Sequence, residues 1–207
     1  MNCDVPPKLS AGERSAWTVF LRSLFHRTSE NLRGTIASGV ALFDEALESA
    51  KDRYPSLRGS SDPENFDDYK ANLTPAEKRG LVLGMLPTIM TNPSLGQFFN
   101  DMPTRVFTLP SGSPDFLLSD DPLARTNGLK KMDGHFAIPI SPRKLFVSAW
   151  NENTLNIIGK MKPDEIVGNM NKWTVESARF FVVSRDRSQD RFIRNRFGIS
   201  PKDSVMR

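Results

Sequence analysis

Two neighbouring acids in the stretch FLLSDDPLARTNG are the residues of this chain that most resemble a catalytic pair. Asp120 and Asp121 follow a short apolar run on a predicted turn. Carboxylate oxygens are ligands that Mg²⁺ prefers, and a metal held there would polarise a phosphate, as in phosphodiesterases and other hydrolases. The alternative is a turn that ends a strand, with Ser119 and the acids bonded to the local backbone. We favour the turn, because adjacent side chains of an extended segment point to opposite faces.

Few other residues offer catalytic chemistry. The chain contains no recognisable phosphate-binding loop, nucleophile elbow or zinc motif. His135, which opens a predicted strand, is a weak candidate for a general base. With Asp120 and either Ser119 or Ser141 it would compose a Ser-His-Asp triad, although any chain of this length permits such a combination. Asp120, His135 and Ser141 are therefore weak catalytic candidates. We expect no cofactor, with Mg²⁺ reserved for the hydrolase hypothesis.

The C-terminal stretch RDRSQDRFIRNRFG predicts a basic helix. Arg187, Arg191 and Arg194 recur at i, i+4 and i+7, which places them on one helical face. Arginines with interleaved aromatic residues are typical of surfaces that contact phosphates and stack on bases. The alternative is a surface helix docked by Ile193 and Phe197, with its arginines solvated or paired with the acidic second helix.

The composition is that of a globular protein with a mild excess of basic residues. The chain has 207 residues, of which 38% are hydrophobic, and it has a formal net charge of +4 and a pI of about 9.3. This excess permits a nucleic-acid partner without requiring one. The charge is unevenly distributed, because residues 42–77 are rich in acids and residues 179–207 are rich in arginine.

The location is predicted to be the cytoplasm. The single cysteine, Cys3, excludes a disulfide within the chain, which is typical of a reducing compartment. The first residues, MNCDVPPKLS, lack the features of a signal peptide. No apolar run approaches the ~20 residues of a membrane-spanning helix, so we expect no membrane partner. The sequence leaves the oligomeric state open.

The periodicity of apolar residues predicts helices first and strands later. Ser10 and Thr74 each begin a helix with a glutamate three residues later, which is the spacing of a capping box. Pro139 inside HFAIPIS predicts an edge position or a bulge, and Gly198 is a suitable residue to end the last helix. Helices are predicted at residues 10–26, 29–53, 74–91, 94–102, 163–177 and 188–197, and strands at residues 105–109, 115–118, 135–140, 144–149 and 179–184.

The order of these elements predicts an α+β fold. It comprises N-terminal helices followed by a small, mainly antiparallel sheet with one intervening helix, and a C-terminal helix. We expect a single domain over residues 1–207, with a mainly helical half at 1–102 and a sheet-containing half at 103–207. Residues 55–72 are rich in Ser, Asp, Gly and Pro, which predicts a flexible connector.

Several short blocks of this chain resemble those of a bacterial family, the domain-of-unknown-function family numbered 4238. FLLSDDPL resembles the family's SDNP block, which follows an apolar strand, and IPISPRKLFVS resembles its PLSP block. GNMNKWTVESARFFVVS is similar to the family's asparagine-containing helix and the strand after it, and LFHRTSENLR is similar to a helix upstream. The order and spacing of these blocks extend the resemblance over roughly residues 13–185.

The resemblance implies which positions cluster, but it implies no established activity. The positions are Arg27, Asp120, Pro122, Ser141, Pro142 and Asn171. The chain departs from the family pattern twice. Nothing like the family's HYVPxxYL stretch stands before Ser10, and Asp121 occupies a position where the family often has Asn, which adds a charge to the turn.

The favoured hypothesis is a non-enzymatic binding or accessory protein, for example an inhibitory factor of a mobile element in a bacterium or phage. It would act by protein or nucleic-acid contact, and the shortage of His and Cys and the basic C-terminal helix favour it. Its candidate binding residues are Arg27, Asn171, Arg187, Arg191 and Arg194.

The alternative hypothesis is a metal-assisted phosphodiesterase or other hydrolase. Asp120 and Asp121 would hold the metal, and His135 or Arg27 would assist the reaction. The observation that separates the hypotheses is the environment of Asp120, since a carboxylate occupied by backbone amides is not available to a metal ion.

Overall fold

The computed structural model describes the backbone of residues 2–4, 9–27, 29–126 and 128–199, and the side chains of residues 2–4, 27 and 29–31 are outside the described part. The α-helices are α1 Ala11–Arg27, α2 Ser29–Ser49, α3 Tyr54–Leu57, α4 Phe66–Asn72, α5 Pro75–Thr91, α6 Pro93–Asp101, α7 Glu152–Lys160, α8 Pro163–Ser177 and α9 Asp190–Arg196. The strands are β1 Asn2–Asp4, β2 Thr104–Thr108, β3 Leu118–Ser119, β4 Ala124–Arg125, β5 His135–Ser141, β6 Lys144–Ala149 and β7 Val182–Val183.

The α+β class is confirmed, and the helices with strong caps begin where the sequence places them. Thr74 accepts the amide of Glu77, and the Glu77 side chain binds the Thr74 backbone, so the predicted capping box starts α5. One expectation was wrong, because two helices rather than one separate β6 from β7. The polar stretch after β6 is the start of α7, where the Asn151 side chain accepts the amide of Thr154 as an N-cap.

The main sheet has the strand order β1-β2-β6-β5-β4, and each pairing is antiparallel. Strands β1 and β4 were not predicted, because two or three residues carry too little periodicity. β3 and β7 form a separate two-stranded ribbon, in which Leu118 pairs with Val183. The register shifts between Pro139 and Ser141, an irregularity that agrees with the bulge that the sequence offered at Pro139 as the alternative to an edge position.

Helices cover both faces of this sheet. One face packs on α7 and α8 through a cluster that includes Phe107, Val147 and Met170. The other face packs on α1 through a cluster that includes Leu21 and Phe136. Successive strand residues alternate between the two clusters, as side chains of a β-strand must, which explains why the central strands are apolar on both sides.

The contacts group the chain into two compact units. One unit is Met1–Phe25 with Ser94–Arg207, and the other is His26–Pro93. Most of α1 belongs to the first unit because its apolar side chains pack on the sheet. Trp17 makes an edge-to-face contact with Phe146, with 5.4 Å between ring centroids.

The second unit is a pair of helices, α2 and α5, with the short helices between them. The segment 55–72, expected to be an irregular connector, instead contains most of α3 and all of α4. The Asn65 side chain caps α4, and the Tyr54 hydroxyl donates to the carbonyl of Pro63 at 2.7 Å. The polar residues that predicted a loop therefore serve as a helix cap and turn partners.

Replacing Gly39 by alanine is expected to loosen the contact between α2 and α5. A Cβ at Gly39 would lie 2.6 Å from Cγ1 of Val82, which forces the two helices apart. We expect Gly39→Ala to lower the free energy of unfolding in urea by about 1–3 kcal/mol. Gly34→Ala in the same helix meets nothing within 4 Å and should raise stability by about 0.5–1 kcal/mol. Equal effects of the two substitutions would contradict this packing.

Candidate functional site

The carboxylate of Asp120 is bound by three consecutive backbone amides. Its Oδ1 accepts from the amides of Arg179 and Phe180 at 3.1 Å and from that of Phe181 at 3.3 Å. Consecutive amides that converge on one anion form a concave backbone nest. The expectation that Asp120 bonds to its local backbone was wrong, because its carboxylate accepts amides about sixty residues further along the chain. The local part of the expected turn is made by Ser119, whose hydroxyl contacts the backbone of Asp121.

Asp121 lies in a different environment from its neighbour. Its Oδ1 is buried and has no hydrogen-bond partner among the described residues. Burial raises the pKa of Asp121 to about 6, and Asp120 adds to this rise while the Arg125 guanidinium opposes it. The two acids thus do not form a matched pair, because one is satisfied by amides and the other is held in a setting that disfavours its charge.

Asn171 is a structural bridge inside the first unit. It is 2% exposed, its Oδ1 accepts the amide of Leu117, and its Nδ2 donates to the Asp115 carbonyl and to Gln189. All of its hydrogen-bonding groups are therefore engaged within the chain. As a predicted binding residue, Asn171 acts at most by positioning other groups.

The block around Ser141 also binds the segment that precedes β3. The carbonyl of Pro142 accepts the amide of Phe116. The Arg143 guanidinium donates to the Ser113 carbonyl at 2.6 Å and to the Asp115 carboxylate at 2.9 Å. We call residues 115–121, with their partners on β5–β6 and at the end of α8, the hydrogen-bonded frame.

The three weak catalytic candidates do not meet in one site. His135 and Ser141 are the first and last residues of β5, which places them roughly 20 Å apart at about 3.3 Å per residue. His135 Nδ1 lies 2.7 Å from the carbonyl oxygen of Asp133, and Ser141 Oγ accepts the amide of Arg143. A triad of Asp120, His135 and Ser141 is therefore not assembled. Arg27 is the last residue of α1, and its side chain lies outside the described residues.

The basic helix α9 is docked on the end of α8. Arg196 pairs with the buried carboxylate of Glu176 at 2.7 Å. Gly198 ends α9 with a φ of +65°, the left-handed conformation predicted for it, and its amide donates to the Val175 carbonyl at 3.1 Å. The ion pair between Arg196 and Glu176 therefore attaches α9 to the end of α8. The sequence pattern did not indicate this role for either residue.

An open groove of about 630 Å³ lies along α9. The residues that line it are Glu176, Ser188, Arg191, Phe192, Asn195, Arg196 and Ile199. Glu176 is the one acidic member of this lining, and Arg196 neutralises it. The groove thus combines unneutralised positive charge from Arg191 with polar and apolar contacts, which suits an anionic ligand with an apolar part.

The three arginines predicted as binding residues are all exposed. Arg194 lies 3.8 Å from Asp190, a weak i,i+4 pair on the surface. Within the part of the chain that the structure describes, Arg187 and Arg191 form neither an ion pair nor a hydrogen bond through their side chains. Their charges are therefore available to a partner.

Two exposed phenylalanines precede this helix in the chain and were not singled out from the sequence. Phe180 is 72% exposed and Phe181 is 53% exposed. The sequence predicted a strand at residues 179–184, and this prediction did not mark either phenylalanine as exposed. We call the exposed arginine and phenylalanine side chains of residues 179–199 the C-terminal face.

These features describe an α+β chain whose sheet is covered on both sides and whose C-terminal face is basic and aromatic. The model of a family described as protein of unknown function, DUF4238, matches residues 5–188. The chain belongs to this family. No curated protein and no solved structure matches it. The blocks SDDP and ISPR, together with Asn171, are the parts that build the hydrogen-bonded frame.

Two kinds of site are not seen among the described residues. No group of three or more His, Cys, Asp and Glu side chains is placed to hold a metal ion. None of the described helices has the length and apolar character needed to cross a bilayer.

Removing the Asp120 carboxylate is expected to release the 179–181 backbone. Asp120→Ala should lower the free energy of unfolding by about 2–4 kcal/mol, since three amides lose a charged acceptor. Asp120→Asn keeps an oxygen acceptor and should cost about half as much. Asp133→Ala is the control, because this acid is exposed and should change little. Chemical denaturation measures all three, and an Asp120→Ala variant as stable as the control would refute this role.

The buried acid Asp121 predicts a pH dependence of stability. The folded-state pKa of about 6 lies above the model value of 3.8, so this group favours the folded state below about pH 4, and the benefit is lost as pH rises through 6. Asp121→Asn should match the wild type near pH 4 and exceed it by roughly 2 kcal/mol at pH 7.5. Urea denaturation from pH 4 to 7.5 tests this, and a difference that does not vary with pH would contradict it.

Proposed function

We propose that this chain is a binding protein that contacts nucleic acid through its C-terminal face. The observation that carries the proposal is the pair Arg187 and Arg191, exposed and without an ion pair among the described residues. Exposed arginines without an acidic partner are the groups that neutralise phosphates and release counterions. Arginine also binds phosphate through two parallel N–H groups, which gives it directional contacts.

The local charge balance supports a polyanionic partner. Residues 179–196 contain six arginines and two aspartates, although the net charge of the whole chain is only +4. Two of these arginines are already used inside the protein, because Arg196 binds Glu176 and Arg185 lies 3.6 Å from Asp115. Arg187 and Arg191 are exposed and form no ion pair among the described residues, and Arg191 lines the groove.

The groove supports contacts beyond charge. Ser188 and Asn195 offer neutral donors and acceptors, and Phe192 and Ile199 offer apolar surface. Phe192 also lies under the Arg196 guanidinium, 5.4 Å from it, so its ring is held in place. Such a lining is suited to a nucleotide, which presents phosphate, hydroxyl and a flat ring together.

The alternative of a metal-assisted hydrolase has less support. Three amides already occupy the Asp120 carboxylate, and a metal would have to displace them. Asp121 has a raised pKa, so it is a poorer anionic ligand than an ordinary aspartate.

As part of the favoured proposal we place the protein in the cytoplasm, since a single cysteine is typical of a reducing compartment.

Loss of the two available arginines is expected to weaken nucleic-acid binding. We expect Arg187→Ala/Arg191→Ala to reduce the affinity for a labelled 16-nucleotide strand about tenfold in 50 mM salt, and to lower the salt slope by about 1.4. Fluorescence anisotropy over a salt series measures both quantities. Lys160→Ala/Lys162→Ala is the matched control, because it removes two exposed charges outside the C-terminal face.

Two outcomes would count against the proposal. In the first, the lysine control loses as much affinity as the arginine variant, which would show that only total charge matters. In the second, the wild type binds no nucleic acid in 50 mM salt, which would leave a protein partner as the explanation of the exposed arginines.

A further inference from the structure

The exposed pair Phe180–Phe181 lies between α8 and the basic helix α9 in the chain, and its backbone amides are bound by Asp120. Two consecutive aromatic side chains that are 72% and 53% exposed make an unusual apolar surface for a protein in water. Met132, Leu42 and Leu57 are equally exposed, but each is isolated in the sequence from other exposed aromatic residues. The pair therefore needs a separate explanation.

The backbone that carries the two rings is fixed on both sides. The Asp120 carboxylate holds the amides of residues 179–181, and Val182–Val183 pairs with Leu118–Ser119 in the ribbon. The rings of Phe180 and Phe181 are exposed, while the backbone amides of the same two residues bind the Asp120 carboxylate. A surface that is ordered before binding loses less entropy when a partner binds.

The aromatic pair and the groove both adjoin the C-terminal end of α8. Glu176 lines the groove and binds Arg196, and Phe180 lies four positions further along the chain, which limits the distance between their Cα atoms to about 14 Å. Gly198 also binds the last turn of α8 through Val175. One extended ligand can therefore contact both the groove and the exposed rings.

The chemistry of this combined surface points to unpaired bases. We propose that the C-terminal face binds single-stranded nucleic acid, with bases stacked on Phe180 and Phe181 and phosphates on Arg187 and Arg191. In a duplex the faces of the bases are stacked on each other and are not available to an aromatic side chain, whereas those of a single strand are. Base stacking on aromatic residues tolerates any sequence, and basic residues beside them follow the backbone. This inference rests on the proposed function and assigns its ligand class.

The test compares a single strand with a duplex. Fluorescence anisotropy in 50 mM salt measures binding to labelled 16-nucleotide oligo(dT) and to a labelled 16-base-pair duplex. The wild type should bind the single strand more tightly, and Phe180→Ala/Phe181→Ala should weaken single-strand binding about tenfold or more while leaving duplex binding unchanged. Phe180→Tyr/Phe181→Tyr keeps the rings and should bind like the wild type.

The control variants distinguish the loss of base stacking from the loss of exposed apolar surface and from the loss of positive charge. Val183→Ala removes an exposed apolar side chain, 52% exposed, from the same ribbon and should leave both affinities unchanged. Arg187→Ala/Arg191→Ala should weaken binding to both probes. Circular dichroism and thermal unfolding of each variant confirm that the fold is retained.

The outcomes distinguish this inference from the proposed function. If the arginine variant weakens both probes while the alanine pair has no larger effect than Val183→Ala, the stacking role is wrong and the proposed function stands. If the wild type prefers the duplex, the ligand class is wrong. If the wild type binds neither probe, both proposals fail together.

Discussion

The bond between the Asp120 carboxylate and the amides of residues 179–181 is the constraint on which the C-terminal part of this fold depends. It ties the segment that follows β3 to the segment that follows α8, and it sets the direction in which the chain enters β7. A charged acceptor shared by three amides is stronger than three neutral hydrogen bonds in the same place. The described residues 179–199, which include α9, follow directly from the backbone that this carboxylate binds.

The parts of the fold that local chemistry determines were predictable from the sequence. The Thr74–Glu77 capping box, the helix Pro163–Ser177 and the glycine that ends α9 depend on residues within a few positions of one another. Partners far apart in the chain were not predictable. Asp120 meets amides 59 to 61 positions away, and no pattern in one sequence states which distant amides will converge on a carboxylate. The short strands β1 and β4 were not predictable for the same reason, because they are defined by their pairing with β2 and β5, which lie far from them or across a loop in the chain.

In the candidate site, too, the local pattern was predictable from the sequence and the distant partners were not. The spacing of Arg187, Arg191 and Arg194 indicated a basic helical face, and all three residues are exposed. The pattern did not reveal that Arg196 serves the fold by binding the buried Glu176, since a helical repeat assigns the same character to every arginine. Asn171 shows the reverse case. The resemblance to the family indicated Asn171 as a candidate site residue, but its side-chain amide is hydrogen-bonded to Leu117, Asp115 and Gln189 inside the first unit.

The two acids of the SDDP turn explain why a matched carboxylate pair in a sequence is weak evidence for a metal site. Side chains of neighbouring residues leave the backbone in different directions. Asp120 binds the amides of the residues that follow α8, whereas the buried Oδ1 of Asp121 has no hydrogen-bond partner among the described residues. An amide side chain at position 121 would avoid the desolvation of a charge, whereas at position 120 the full negative charge is what holds three amides. The turn therefore needs only the carboxylate of Asp120, which fixes the backbone of Phe180 and Phe181 by binding their amides.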